Sequence, residues 1–275
     1  MLGIMNPELT LMAVHAHPDD EVLGTGGVFA RYAEEGVRTV LVTCTNGEQG
    51  DGPGGVKPGE SGHDLAEVSR LRLEELRESV THLAIDHVEL LGYPDSGMAG
   101  WEANADARVF ANVPLEESAG RLAELMERYR PQVVVTYDEN GNYGHPDHIQ
   151  AHRIAVAAAE RTGIPRKFYY SAVPRSFLTE MMDHLRGTGV DMGEFEVPED
   201  FGTPDEEITT VVEVSAYFER KIKALKAHAS QADTGFTLGL PDEVQRRMLG
   251  RETFLRRFST VPAPDLEDDL FVGLR

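Results

Sequence analysis

The 275-residue chain reads as an α/β protein: a doubly wound, mostly parallel sheet followed by a smaller C-terminal α+β extension. Three observations predict it. Short apolar, β-branched runs alternate with stretches of helical periodicity as far as residue 174, the pattern of parallel βαβ units. Polar clusters follow the apolar runs, where the ligands of open parallel sheets bind, beyond the strand carboxyl ends. Apolar residues are 41% of the chain and charged residues 27%, enough for a sizeable core. Residues 1–174 are expected to form the main domain, and 175–275 an extension that packs on it and closes one side of a pocket.

Each element has its own signal. Residues 9–16 (LTLMAVHA) form an apolar run that predicts a buried strand. Helical spacing of Val28, Tyr32 and Ala33 predicts a helix over 24–35, stopped by Gly36. Residues 39–44 (TVLVTC) predict a second strand, and the Gly- and Pro-rich stretch to residue 62 a long loop. Leu71, Leu73, Leu76, Val80 and Leu83 mark a helix over 65–84 before a third strand at 87–91. A second long loop, 92–112, leads to an amphipathic helix over 115–129, ended by Pro131. Residues 133–136 predict a fourth strand, 146–162 a helix opened by Pro146, and 168–173 a fifth strand. Farther on, a strand at 208–214 and a helix at 216–228 are legible, and the closing segment has no clear pattern.

Charge narrows the function. The net charge is −21, with 26 Lys+Arg against 47 Asp+Glu, so nucleic acid and anionic membranes are excluded as partners. A small neutral or cationic ligand fits, and a homo-oligomer is compatible with the sequence. No transmembrane run and no secretory signal are expected. Cys44 is the single cysteine, which fits a reducing cytoplasm.

Two clusters carry chemistry. The first is His15-Ala16-His17-Pro18-Asp19-Asp20-Glu21, after the first strand; the second is the run from Tyr137 to His148, YDENGNYGHPDH, after the fourth. Each holds His and Asp at short spacing, the mixed N/O set that suits a divalent metal, zinc above all, with an open position for water. Of Asp19 and Asp20, one fits as ligand and the other as general base. His145 and His148 are three residues apart at a helix start, so one can bind metal while the other addresses a substrate oxygen.

The pairing of AHPDDE with a later HPDH resembles the LmbE-like (PIG-L) zinc-dependent N-acetylglucosaminyl deacetylases. AVHAHPDDE, VTCTNGEQG, DSGMAG and VTYDENGNYGHPDH resemble most the deacetylase and S-conjugate amidase branch of mycothiol metabolism, over about residues 11–159. The resemblance implies a Rossmann-like fold and hydrolysis of the acetamide of a small N-acetylglucosaminyl conjugate. It implies a zinc site of His17, Asp20 and His148, with ferrous iron as the rival metal. It makes Asp19 the general base, and has His145 stabilise the oxyanion or protonate the leaving amine. Asp147 would orient an imidazole, and Tyr143 would donate to the carbonyl. Arg72, with Arg70 as rival, and Asp95 match positions that meet sugar or inositol hydroxyls. The loop DGPGGVKPGESG departs from that branch, which leaves open a zinc amidase acting on a larger amide such as a mycothiol-type S-conjugate.

Other features read more plainly. His15 and His152 are expected to support the site or pack, and Cys44 to be a buried small hydrophobe. Met98 and Trp101 sit in a Gly-flanked loop, where they either cover a sugar ring or anchor the loop. Lys221–His228 is expected to be a solvated basic helix face, although the resemblance includes a KxxALxxHxSQ pattern in which His228 would close the pocket. Gly24-Thr25-Gly26-Gly27 fails as a dinucleotide loop because Phe29 stands where glycine is needed, which argues against a non-catalytic nucleotide-binding module. The run from Asp138 fails as a calcium loop at Tyr143 and Ile149.

Overall fold

The structure, a computed structural model, describes residues 9–188 and 202–275. Of the N-terminal residues 1–17, in which no secretory signal is expected, residues 1–8 lie outside it. Strand β1 (Thr10–His15) leads into helix α1 (Asp20–Glu34), then β2 (Arg38–Thr45), α2 (Leu65–Leu83) and β3 (His87–Tyr93). After α3 (Leu115–Tyr129) and β4 (Val133–Thr136) come the single turn α4 (Gly141–Gly144), α5 (Pro146–Thr162) and β5 (Lys167–Ala172). Helix α6 (Arg175–Thr188), β6 (Thr210–Glu213), α7 (Phe218–Ala227), α8 (Ala232–Gly239), α9 (Asp242–Leu249) and β7 (Arg251–Ser259) complete the described chain.

The strands form one sheet in the order β3-β2-β1-β4-β5-β7-β6. The first five are parallel; β7 runs antiparallel to both β5 and β6. The order 3-2-1-4-5 is that of a Rossmann-like sheet, and it reverses direction between β1 and β4. Alternate strand residues feed two apolar layers, as strand geometry requires. Met12, Val14, Val40 and Val42 meet Leu122, Met126, Ile154 and Ala155 of α3 and α5. Leu11, Ala13 and Leu41 meet Val28, Phe29, Leu76 and Leu225 of α1, α2 and α7.

Several expectations need correction. Helix α1 starts at Asp20, not at residue 24, and runs through the Gly-rich stretch. Those glycines serve packing: a Cβ on Gly27 would lie 2.5 Å from Val214. The closing segment expected to lack pattern supplies β7, inside the sheet. Its charges hide it: Glu252 is buried because Lys221 lies 2.6 Å away. For the same reason the Lys221–His228 stretch is not a solvated face. Lys221 and His228 are both fully buried, and only Lys223 and Lys226 of its basic residues face water.

Candidate active site

The crevice at the β1/β4 switch point is where two polar loops meet. Beyond β1 the chain turns through His17 and Pro18 into α1, with Asp19 as the cap residue at φ 114° and ψ −30°. Beyond β4 it passes through α4, with Gly141 at φ 62° and Asn142 at φ 63°, before Pro146 opens α5. A Cβ at Gly141 would come within 2.7 Å of His148, so glycine there lets the loop close over the imidazole.

Three donor groups converge. His17 Nδ1 lies 3.3 Å from His148 Nε2 and 3.3 Å from Asp20 Oδ2, and His148 Nε2 lies 3.5 Å from Asp20 Oδ1. Tetrahedral ligands at zinc–nitrogen and zinc–oxygen bond lengths stand about 3.4 Å from one another. Two imidazole nitrogens and a carboxylate at this spacing therefore fit a divalent ion. The surroundings also call for positive charge. Asp19, Asp20, Glu21, Asp95 and Asp147 crowd together, and among the described residues Arg72 is the guanidinium bound to them, through Asp19.

The supports are ordered. Asp147 Oδ2 lies 3.2 Å from His17 Nε2, which leaves the His17 Nδ1 lone pair for the ligand triangle. Asp147 is itself held by the Ser96 N–H at 2.9 Å and by the Ser96 hydroxyl. Asp95 Oδ1 lies 3.6 Å from His17 Nε2 and accepts the Gly97 N–H at 2.8 Å. Burial alone would lower the pKa of His17, but Asp95 and the hydrogen bonds to Asp147 and Asp20 hold it well above 6.5. Asp20 is held far below the ordinary carboxylate range, because His148 and His17 outweigh its burial. His145 Nδ1 accepts the Asp147 N–H at 3.1 Å, so its ring proton sits on Nε2. Burial, with His17 and His148 nearby, pulls His145 down to about 3 and keeps it neutral.

Asp19 faces the triangle without joining it. Its Oδ2 accepts from Arg72 Nη2 at 2.8 Å, yet burial pushes its carboxyl up to about 6 against that cation. Arg72 also donates to the carbonyls of Pro18 at 2.6 Å and Gly47 at 2.7 Å, so it ties the loop beyond β1 to the loop beyond β2. Arg70, the sequence rival, points outward to Glu74. The Tyr143 hydroxyl lies 3.5 Å from His148 Nε2. His15 reaches Thr25 at 2.8 Å and His152 lies 3.0 Å from the Tyr137 carbonyl oxygen, both in supporting positions. His228 does not line the cavity; it is buried behind Glu21.

Sequence reasoning missed Tyr137 and Ser96 as functional supports. The Tyr137 hydroxyl donates to Asp20 Oδ2 at 2.7 Å and accepts the Ala16 N–H at 2.8 Å, while its ring stacks on His148. A buried tyrosine opening the second cluster was the available signal. The cavity above the triangle has a volume of about 1340 Å³ and reaches past Leu23, Met98 and Trp101 to α6 and α9. No helix among the described residues is long and apolar enough to cross a membrane.

Comparison with known proteins places the chain in a family. Residues 12–159 match the family described as PIG-L: GlcNAc-PI de-N-acetylase. The chain is 42% identical to the 1D-myo-inositol 2-acetamido-2-deoxy-alpha-D-glucopyranoside deacetylase of Acidothermus cellulolyticus, over 96% of this chain and 95% of that one. It is 39% identical to the Thermobifida fusca protein of the same name, over 95% and 98%. Among solved structures it resembles the 4-carboxy-2-hydroxymuconate hydratase of Pseudomonas putida (TM-score 0.58, 19% identity, over 93% of this chain and 99% of that one), a likeness of fold alone.

Proposed function

We propose a reaction and a division of labour for this chain from one premise: it belongs to the PIG-L family of GlcNAc-PI de-N-acetylases. The reaction is hydrolysis of the acetamide of an N-acetylglucosaminyl-inositol conjugate to acetate and a free amine, the activity named for its relatives. The observation that carries it is the 3.3–3.5 Å triangle of His17, Asp20 and His148 with Asp19 beside it. Those three residues would hold the metal, for which zinc is the best fit to two imidazoles and a carboxylate. When bound, the ion supplies the charge that polarises the amide carbonyl and acidifies the attacking water.

The chain's own groups do the rest. Asp19 takes the proton of the attacking water, a role suited to a carboxyl pushed up to about 6. His145 Nε2–H, fixed as a donor by the Asp147 N–H on Nδ1, faces the developing oxyanion together with the Tyr143 hydroxyl. The proton held by Asp19 then leaves with the amine. Asp147 orients His17, and Arg72 and Asp95 stand on the cavity wall from which they would meet sugar or inositol hydroxyls. The lone, buried Cys44 supports work in a reducing cytoplasm.

A second reading has one observation in its favour. A cavity of about 1340 Å³ exceeds what an amino-sugar disaccharide needs, so a larger amide such as a thiol S-conjugate would also fit. Amine release from both classes of amide, by metal-stripped protein with and without added zinc, tests both readings. Zinc-restored release from the acetylated conjugate supports the deacetylase; release from the larger amide alone moves the assignment to the amidase. Asp19→Ala should keep zinc and lose turnover, whereas His148→Ala should lose the zinc itself. An Asp19→Ala variant at the parent rate would overturn the assigned base.

A further inference from the structure

Asp19 occupies a backbone conformation that L-residues other than glycine rarely adopt, at φ 114°. Something must hold it there. Its side chain is tied by Arg72, as described. Its main chain is tied by Glu21: the Asp19 N–H donates to Glu21 Oε2 at 2.9 Å. The arrangement resembles a capping box, in which an acid in the first helical turn reaches back to the cap residue's N–H. Glu21 is fully buried and is absent from the cavity wall, so it touches no substrate position. Its other oxygen, Oε1, accepts from the Ser79 hydroxyl at 2.5 Å and lies 2.8 Å from His228 Nε2. One carboxylate thus gathers α1, α2 and the end of α7 onto the backbone of the proton acceptor.

We propose that Glu21, anchored by Ser79 and His228, is the positioning residue that fixes the Asp19 carboxylate for proton transfer. This rests on the reading of Asp19 as the base. The chemistry explains why a carboxylate is needed. Three donors converge on two acceptor oxygens, and an amide in its place would turn an NH₂ toward at least one of them. Released from Glu21, the Asp19 backbone relaxes toward an ordinary conformation and its carboxylate swings away from the attacking water. A displacement of about 1 Å at a reacting group costs on the order of 100-fold in rate. Substrate and metal contacts, made by other residues, stay in place. The C-terminal third therefore contributes to catalysis through His228, a residue that does not itself line the cavity.

The test compares Glu21→Gln, His228→Gln and Asp19→Asn for kcat, KM, zinc content and melting temperature, with acetylated glucosaminyl-inositol as substrate. Glu21→Gln should lower kcat by about 10- to 100-fold while KM and zinc content stay within about twofold. A tie that only holds the fold together would lower the melting temperature and leave kcat of the folded enzyme at the parent value, which overturns the proposal. Loss of zinc in Glu21→Gln overturns it as well. Should Glu21→Gln not accumulate as folded protein, His228→Gln loosens the same carboxylate and is judged by the same split. Asp19→Asn separates the two ideas. An inactive Asp19→Asn beside a fully active Glu21→Gln removes only the positioning role; an active Asp19→Asn removes the base assignment beneath it.

Discussion

Asp20 does not hold its place alone. The Tyr137 hydroxyl donates to Oδ2 from a residue 117 positions away in sequence, and it also takes the N–H of Ala16. Tyr137→Phe would keep the ring stacked on His148 and remove both bonds. Zinc affinity should then fall about 10- to 100-fold, the usual cost of losing such a support. The Ala16 N–H, buried without a partner, should cost about 1–3 kcal/mol of stability. Competition with a chromophoric chelator measures the first effect and thermal melting the second; an unchanged zinc affinity would show that Asp20 is oriented by other means. The same residue shows what a sequence exposes at this scale. The two His/Asp clusters were legible because such residues stand at short spacing in loops after strands, and the family resemblance then singled out His17, Asp20 and His148 as the proposed ligands. Tyr137, Ser96 and Glu21 were not, because their roles exist only once distant segments have folded together.

At the scale of elements, helix α1 is held by charges from the C-terminal third. The Gly27 and Val28 N–H groups donate to the Glu252 carboxylate at 2.7 and 2.8 Å, and Lys221 pairs with that carboxylate while reaching the Leu23 carbonyl at 3.3 Å. Removing one member of a buried pair strands the other, at a cost of about 3–5 kcal/mol. Lys221→Met should therefore lower the melting temperature by on the order of 10 °C, whereas Lys223→Met, on the exposed side of α7, should change stability by less than about 0.5 kcal/mol. Equal effects of the two would mean that Lys221 is not buried in solution. This pairing is also why β7 escaped the sequence reading: Arg-Glu-Thr-Phe-Leu-Arg-Arg looks solvated until its partners are known. The parallel strands β1, β2, β4 and β5, apolar on both faces, carried no such disguise.

The second tie, between His228 and Glu21, should respond to pH. Burial would lower the His228 pKa, but the Glu21 charge and hydrogen bond outweigh it and leave it raised above 6.5. A raised folded value means that the stabilisation is complete below the unfolded value, about 6.5, and disappears as pH rises through the folded one. The gap in melting temperature between the parent and His228→Gln should be widest near pH 6 and narrow at higher pH. A gap that stays constant from pH 6 to 9 would indicate a neutral hydrogen bond in place of an ion pair.

For the whole molecule, the question is whether the first 174 residues can stand without the rest. The expected boundary falls between β5 and α6, yet strands from both sides share one sheet. Lys167 on β5 is fully buried and pairs with Glu267, which also accepts from the Tyr169 hydroxyl at 2.8 Å and meets Arg256 at 2.9 Å. Cutting the chain at 174 would uncover the whole β5 edge, a template for aggregation. It would also deprive Lys167 of its counter-ion, α1 of Glu252 and Glu21 of His228. Residues 1–174 carry every proposed metal ligand, so the fragment separates possession of ligands from possession of a site. Expressed alone, it should show no cooperative unfolding and bind less than one equivalent of zinc, even though its sequence contains His17, Asp20 and His148. A cooperative transition with one bound zinc would instead establish the first 174 residues as an autonomous domain, and would confine the C-terminal third to shaping the outer cavity.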